Sequence, residues 1–131
     1  MRGSFLLLGL GSLAMAAPLS AGASASVNAE VFYSTAVELE KKGFRALFDK
    51  RAKSMEAQMK DAGASAREAN AAASKTGNPL YCVSEAERKK GLNVSQVLAM
   101  LGALGQETRS KLTLERAWLL ALKRKYPCTD T

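Results

Sequence analysis

The N-terminal segment constrains the fold most, because it decides which residues belong to the mature protein. Arg2 near the start is followed by an apolar run over residues 5–17 and then by small residues over 18–29, with several A-x-A-like sites. This order is typical of a secretory signal peptide. The apolar run has about 13 residues, whereas a membrane span needs about 20. We therefore interpret residues 1–25 as a signal peptide and expect a periplasmic protein.

Cleavage of this leader leaves one domain of ordinary size. The candidate cleavage sites follow three small residues: Ala23, Ala25 and Ala29. Roughly 105 residues remain, a normal length for a single core, and we assign residues 30–128 to one helical domain. No later stretch is apolar enough to cross a bilayer, so we predict no membrane span.

The mature domain contains two cysteines, Cys82 and Cys128. In an exported protein a lone pair of cysteines is most simply a disulfide. A domain this small buries only about two thirds of the surface that its unfolded chain exposes. Closing a loop of about 46 residues adds roughly 4 kcal/mol in the chain-entropy model. The chain has no histidine, which leaves too few soft ligands for structural zinc, so we predict no metal and no cofactor.

Apolar residues recur at three- and four-residue steps without β-like alternation, which predicts an all-α bundle of about four to five helices. The first helix covers about residues 30–42, and Gly43 interrupts it. The second segment carries an apolar stripe that we interpret as a core face. The stripe consists of Phe44, Leu47, Phe48, Met55, Met59 and Ala62. An Ala-rich stretch follows and ends at the breakers of residues 75–79.

Capping residues place the helices of the C-terminal half. Asn93 with Gln96 fits a capping box, and the predicted buried side of that helix is Val94, Val97, Leu98, Leu101 and Leu104. Thr113 can cap the last helix. Its apolar stripe is Leu114, Ala117, Trp118, Ala121 and Leu122. Pro127 ends this helix directly before the second cysteine.

The charge balance is strongly basic, with a net charge of +7 for the whole chain. Basic domains attract phosphate, but the export signal and the interleaving of acidic with basic residues argue against nucleic acid. A solvated basic face is the simpler interpretation. The alternative is a docking surface for an acidic protein or an anionic envelope lipid.

The composition argues against an enzyme. Without histidine there is no Ser-His-Asp, Cys-His or H-E-x-x-H arrangement. The carboxylates of Glu85 and Glu87 are close in sequence, but three basic residues follow them, which favours an exposed charged turn over a carboxylate pair of the glycosidase type. Tyr81 and Trp118 could bind a ligand, although residues of this type beside a disulfide are more often core.

The C-terminal half resembles the Rap/Tai family of periplasmic immunity proteins, which protect Gram-negative bacteria against peptidoglycan amidase effectors of type VI secretion. The matching features are an aromatic-Cys start at Tyr81-Cys82, the Gly-led helix after Gly91, and the closing triplet Tyr126-Pro127-Cys128. The resemblance covers about residues 80–128 and does not extend to the Ala- and Lys-rich N-terminal half. It implies a helical fold, a Cys82–Cys128 disulfide and binding to a protein toxin.

We therefore predict a periplasmic immunity or inhibitor-type protein that binds a protein partner, with an amidase effector as the candidate, and leave homo-oligomerisation open. The predicted partner-binding loop is the exposed link before the last helix, with Gln106, Glu107, Arg109 and Lys111. One alternative is a small acid-stress chaperone, although without histidine it lacks a switch near pH 6. Another is an envelope-associated structural protein that uses its basic face.

Overall fold

Helices form most of the chain that the computed structural model describes, which is residues 27–129. They are α1 (Ala29–Lys41), a 3-10 helix (Gly43–Phe48), α2 (Lys50–Lys75), α3 (Glu85–Lys90), α4 (Val94–Gly102), α5 (Gln106–Lys111) and α6 (Leu114–Lys125). The predicted all-α bundle is confirmed. Its described part holds seven helices because short ones fill links that the periodicity left open. The predicted signal peptide, residues 1–25, lies outside the described residues.

Helix α6 lies at the centre of the bundle and packs against α1, α2, α4 and α5. All five residues of its predicted apolar stripe are buried, and Leu114 is fully enclosed. Thr113 caps the helix as predicted, since its hydroxyl accepts a hydrogen bond from the amide of Arg116 at 3.3 Å. The apolar stripe therefore becomes a core face that other helices cover on several sides.

Helix α2 packs against α6 through small side chains. Ala62 and Ala66 are buried, and short side chains let two helix backbones approach closely. Ser65 donates a 2.5 Å hydrogen bond to Glu115 of α6. Asn70 binds the segment before α3, because its amide oxygen accepts from the backbone amide of Leu80 at 2.7 Å. The start of the Ala-rich stretch thus packs against the core through Ala66, without large apolar side chains.

The start of α1 is attached to the joint between α5 and α6. Asn28 caps α1 by accepting a hydrogen bond from the amide of Glu30 at 2.9 Å. Its side-chain amide also donates to the carbonyl of Ser110 at 2.9 Å. The backbone amide of Ala29 donates to the carbonyl of Leu112 at 2.9 Å. These bonds join the N-terminal end of the described chain to the connection between α5 and α6.

The predicted disulfide between Cys82 and Cys128 is present, with a Cα–Cα distance of 4.9 Å. The amide of Cys82 also donates to the carbonyl of Tyr126 at 2.9 Å. The bond links the segment before α3 to the end of α6. None of the helices in residues 27–129 combines the length and the apolar character that crossing a bilayer requires.

Helix α4 begins with the predicted capping box of Asn93 and Gln96. Its buried side differs from the prediction at two positions. Val94 in the first turn is 66% exposed, whereas Met100 is buried. The first turn of α4 is held to α1 by a 2.9 Å hydrogen bond from Ser95 to Glu40, but this contact leaves Val94 uncovered.

Candidate functional site

The largest departure from the predicted core is the 3-10 helix between α1 and α2. Phe44 is 89% exposed, Leu47 79% and Phe48 88%. We call these three residues the apolar corner. Their assignment to the core was wrong, whereas Met55 and Met59 of the same stripe are partly buried against the core and Ala62 is buried. Contiguous exposed apolar surface on a small protein commonly marks an interaction site.

Two backbone features separate the apolar corner from the helices on either side. Gly43 has a φ of +56°, a left-handed conformation that glycine adopts at little cost. Asp49 is extended and caps α2 by accepting a hydrogen bond from the amide of Arg51 at 2.9 Å. Helix α1 therefore ends before the apolar corner, and α2 begins after it as a separate helix. Because of this, the stripe of α2 does not continue through Phe44, Leu47 and Phe48.

Ion pairs hold the base of the apolar corner. Asp49 Oδ2 lies 2.9 Å from Lys42 Nζ and 2.9 Å from Arg51 Nη2. The same guanidinium reaches back to α1, where Arg51 Nη2 lies 3.1 Å from Glu38 Oε1. Asp49 pairs with Lys42 and Arg51, and not with Lys53 four residues later, because it stands before the first turn of α2.

This network shifts the titration of its members. The hydrogen bonds from the Arg51 side chain hold the pKa of Asp49 well below its usual range, and the same group lowers the pKa of Glu38. The two carboxylates in turn raise the pKa of Arg51. All three groups are therefore charged at neutral pH, and the apolar corner stands on a charged and hydrogen-bonded base.

The surroundings of the apolar corner are basic. Between residues 41 and 53 there is one acidic residue, Asp49, against six basic ones. The basic residues are Lys41, Lys42, Arg45, Lys50, Arg51 and Lys53. Two of them, Lys42 and Arg51, are paired in the network described above. The other four lie within a few residues of the three apolar side chains in the sequence. Their positive charge suits an acidic or anionic partner surface.

The predicted partner-binding loop is a helix, α5, rather than an irregular link. Gln106, Glu107 and Lys111 are exposed on it. Lys111 forms an exposed i,i+4 ion pair with Glu107 at 3.0 Å. Arg109 was expected to be exposed with them, but only 5% of its surface is accessible. Three of the four predicted contact residues therefore lie on the surface and the fourth does not.

Arg109 instead joins α5 to α1 and α4. Its Nε lies 2.6 Å from a carboxylate oxygen of Glu30. Its Nη1 donates to the carbonyls of Leu101 and Gly102, each at 3.1 Å. The guanidinium carbon is 3.9 Å from the centre of the Tyr33 ring, a cation–π geometry. The sequence offers little signal for this role, because the partners of Arg109 lie on other helices.

The remaining candidate residues lie either on an exposed helix or in the core. Glu85 and Glu87 lie on α3, which is exposed throughout and is capped by Ser84. Tyr81 and Trp118 are buried, as the simpler interpretation expected. Among residues 27–129, no three carboxylate or thiol groups cluster in a way that could hold a metal ion.

Comparisons with known proteins returned no match, whether to protein-family models, to curated proteins or to solved structures.

Proposed function

We propose that the mature domain is an exported, non-catalytic binding protein of the immunity or inhibitor type, and that its apolar corner inserts into a cleft of a protein partner. The observation that carries the proposal is the 79–89% exposure of Phe44, Leu47 and Phe48 on adjacent positions of one short helix. Aromatic side chains that enter a partner's pocket supply a large share of the binding energy at interfaces.

The base of the apolar corner supports this use. Asp49, Arg51 and Glu38 connect the start of α2 to α1 on both sides of the 3-10 helix. A binding element that is already held in place loses less conformational entropy when it binds. The ion-pair network therefore favours an apolar corner that is already ordered before binding over a segment that becomes ordered only in the complex.

The class of partner comes from the resemblance of residues 80–128 to the Rap/Tai immunity proteins, which implies a peptidoglycan amidase effector. The basic residues around the apolar corner call for an acidic rim on that partner. The exposed face of α5, with Gln106, Glu107 and Lys111, is a second contact candidate.

The proposal is tested by affinity purification from a periplasmic extract, followed by mass spectrometry and by a challenge of the producing cells with the recovered toxin. We expect a peptidoglycan hydrolase to be recovered with the native protein. It should be lost with the triple variant F44S/L47S/F48S. Val31→Ser is the matched control, because Val31 is a 62% exposed apolar residue near the opposite end of α1. Failure to recover a hydrolase, together with no protection, would contradict the proposal.

A second candidate is association with an anionic lipid surface, which the same basic and apolar residues favour. Lipid-interface segments combine aromatic and leucine side chains with Lys and Arg. Sedimentation with vesicles that contain anionic phospholipid at physiological salt separates the two candidates. Binding that requires Phe44 and Phe48, combined with no protein partner, would support the lipid surface.

Export is tested by the mass of the mature protein. Cleavage after Ala29 would remove Asn28, which caps α1 and binds the carbonyl of Ser110. We therefore expect cleavage after Ala23 or Ala25, so that the mature chain keeps Asn28. A mature N-terminus at Glu30, or a full-length chain in the cytoplasm, would contradict this expectation.

A further inference from the structure

A groove of about 530 Å³ lies beside the disulfide, where α2, α3 and α6 come together. This volume is within the range of ligand sites in proteins. Two arginines and three aromatic residues are among the residues that line it: Arg67, Arg88, Tyr81, Trp118 and Tyr126. We call it the arginine groove. None of the three residues of the apolar corner lines it.

The two arginines reach the groove from different helices, Arg67 from α2 and Arg88 from α3. Both are exposed, and within residues 27–129 neither side chain forms an ion pair or a hydrogen bond. Arg51 and Arg109, by contrast, are both paired with carboxylates. The guanidinium groups at the groove therefore keep their full capacity to bind an anion.

Both arginines line the same groove as Tyr81. Burial raises the pKa of the Tyr81 phenol, while the charges of Arg67 and Arg88 oppose that rise. Glu87 also lines the groove, but it is outnumbered two to one by the arginines and is not ion-paired with either.

The aromatic residues supply an apolar wall. Trp118 and Tyr81 are about 95% buried in the core, so their positions are fixed by packing. Tyr126 is half-buried at the end of α6. The backbone beside Tyr126 is fixed as well, because its carbonyl accepts the hydrogen bond from Cys82. A rigid apolar wall next to two unpaired guanidinium groups complements a ligand with an anionic end and a flat apolar part.

We infer that the arginine groove binds an acidic peptide segment of a protein partner, in which a carboxylate pairs with Arg67 and Arg88 and a neighbouring aromatic side chain packs against Trp118 and Tyr126. Arginine binds carboxylates through paired N–H donors, and aromatic rings favour offset or edge contacts with one another. This site adds to the proposed function and does not depend on it, since it uses other residues.

Trp118 makes the inference directly measurable, because it is the only tryptophan in the chain. We would titrate the mature, oxidised protein with an end-blocked Glu-Phe-containing tetrapeptide and follow the fluorescence of Trp118. The matched probe is the same peptide with Gln in place of Glu. We expect a saturable change with the acidic peptide, weakening as salt is added, and at least about tenfold weaker binding of the Gln peptide.

Variants assign the binding to the groove. Arg67→Gln and Arg88→Gln should each weaken binding of the acidic peptide about tenfold. Their thermal unfolding should match that of the native protein, because neither side chain has a partner to lose. The matched control is Arg116→Gln, an exposed arginine on α6 that does not line the groove, and its affinity should not change.

Three outcomes would overturn the inference. They are equal binding of the Glu and Gln peptides, no saturable change of Trp118 fluorescence, and competition by inorganic phosphate as effective as by the peptide, since the last would indicate a general anion site. The triple variant of the apolar corner should bind the acidic peptide normally. Failure of the inference is thereby distinguished from failure of the proposed function.

Discussion

Helix α6 and the 3-10 helix of the apolar corner carry apolar side chains at the same three- and four-residue spacing, yet one is buried and the other is not. Leu114 of α6 is fully buried, whereas Leu47 of the apolar corner is 79% exposed. Helix α6 has α1, α2 and α4 packed around it. Within residues 27–129 the 3-10 helix packs mainly against the two helices that it joins. Burial thus follows from the number of covering neighbours, and spacing alone does not decide it.

The same contrast holds for charged groups. Arg109 and Glu30 are largely shielded from solvent and are surrounded by backbone carbonyls and an aromatic ring. Arg51 has two carboxylate partners; Asp49 is largely covered, but the side chains of Arg51 and Glu38 are open to water. A buried charge that loses its partner is costly, whereas an exposed one is solvated again. The number of ion pairs is therefore a poor guide to their stabilising effect.

The largest expected effect is that of removing the disulfide, which links α6 to the segment before α3. Replacing Cys82 and Cys128 together with Ala should lower the free energy of unfolding by about 4 kcal/mol, because the unfolded chain regains the freedom of the closed loop. Urea unfolding of the oxidised native protein and of the variant checks this value. The native protein under reducing conditions is the control and should behave as the variant does. Equal stability with and without the bond would contradict the prediction.

The next prediction compares the ion pair of Arg109 with the ion pairs of Arg51. Arg109→Ala should cost about 3 to 4 kcal/mol, since it leaves Glu30 and two backbone carbonyls without their partner. Arg51→Ala should have a much smaller effect on chemical unfolding, because Glu38 faces water and Asp49 keeps Lys42 as a partner. A loss from Arg51→Ala as large as that from Arg109→Ala would show that the base of the apolar corner belongs to the cooperative core.

A third comparison uses two leucines. Leu114→Ala should destabilise by about 3 kcal/mol through lost burial and the cavity that remains. Leu47→Ala should change stability by no more than about 0.5 kcal/mol, as for other surface substitutions. Both are measured by thermal and urea unfolding of the monomer. If Leu47→Ala proved as costly as Leu114→Ala, the apolar corner would be covered in solution, for example by a second copy of the chain.

The smallest effect is the acid response of the apolar corner. Because the pKa of Asp49 is lowered in the fold by Arg51, its stabilising effect is fully present above the ordinary value of about 3.9. That effect is lost as the pH falls toward the lower pKa of the folded state. Asp49→Asn should therefore flatten the pH dependence of stability between about pH 5 and pH 2. Glu56→Gln, in a single exposed ion pair with Lys60, is the control and should leave the slope unchanged.

Local chemistry predicted much of the fold. The caps at Asn93 and Thr113, the stripe of α6 and the disulfide all depend on residues close in sequence or on a pair with no other partner. The two candidate binding surfaces were harder to predict from the sequence. A signal for the apolar corner was present in Asp49, a capping residue that separates Phe48 from α2, but periodicity favoured one continuous stripe. The arginine groove had no local signal, because its residues come from separate helices.

The sequence by itself determined that the described chain is helical, where α4 and α6 begin, and which two cysteines pair. Those properties follow from backbone hydrogen bonding, capping and side-chain spacing within a few residues, and from the absence of another thiol. Only the tertiary structure decided which apolar and charged side chains are covered. Arg109 is buried and Phe44 exposed because burial depends on the helices that lie over a residue, and those are set by the packing of the whole bundle.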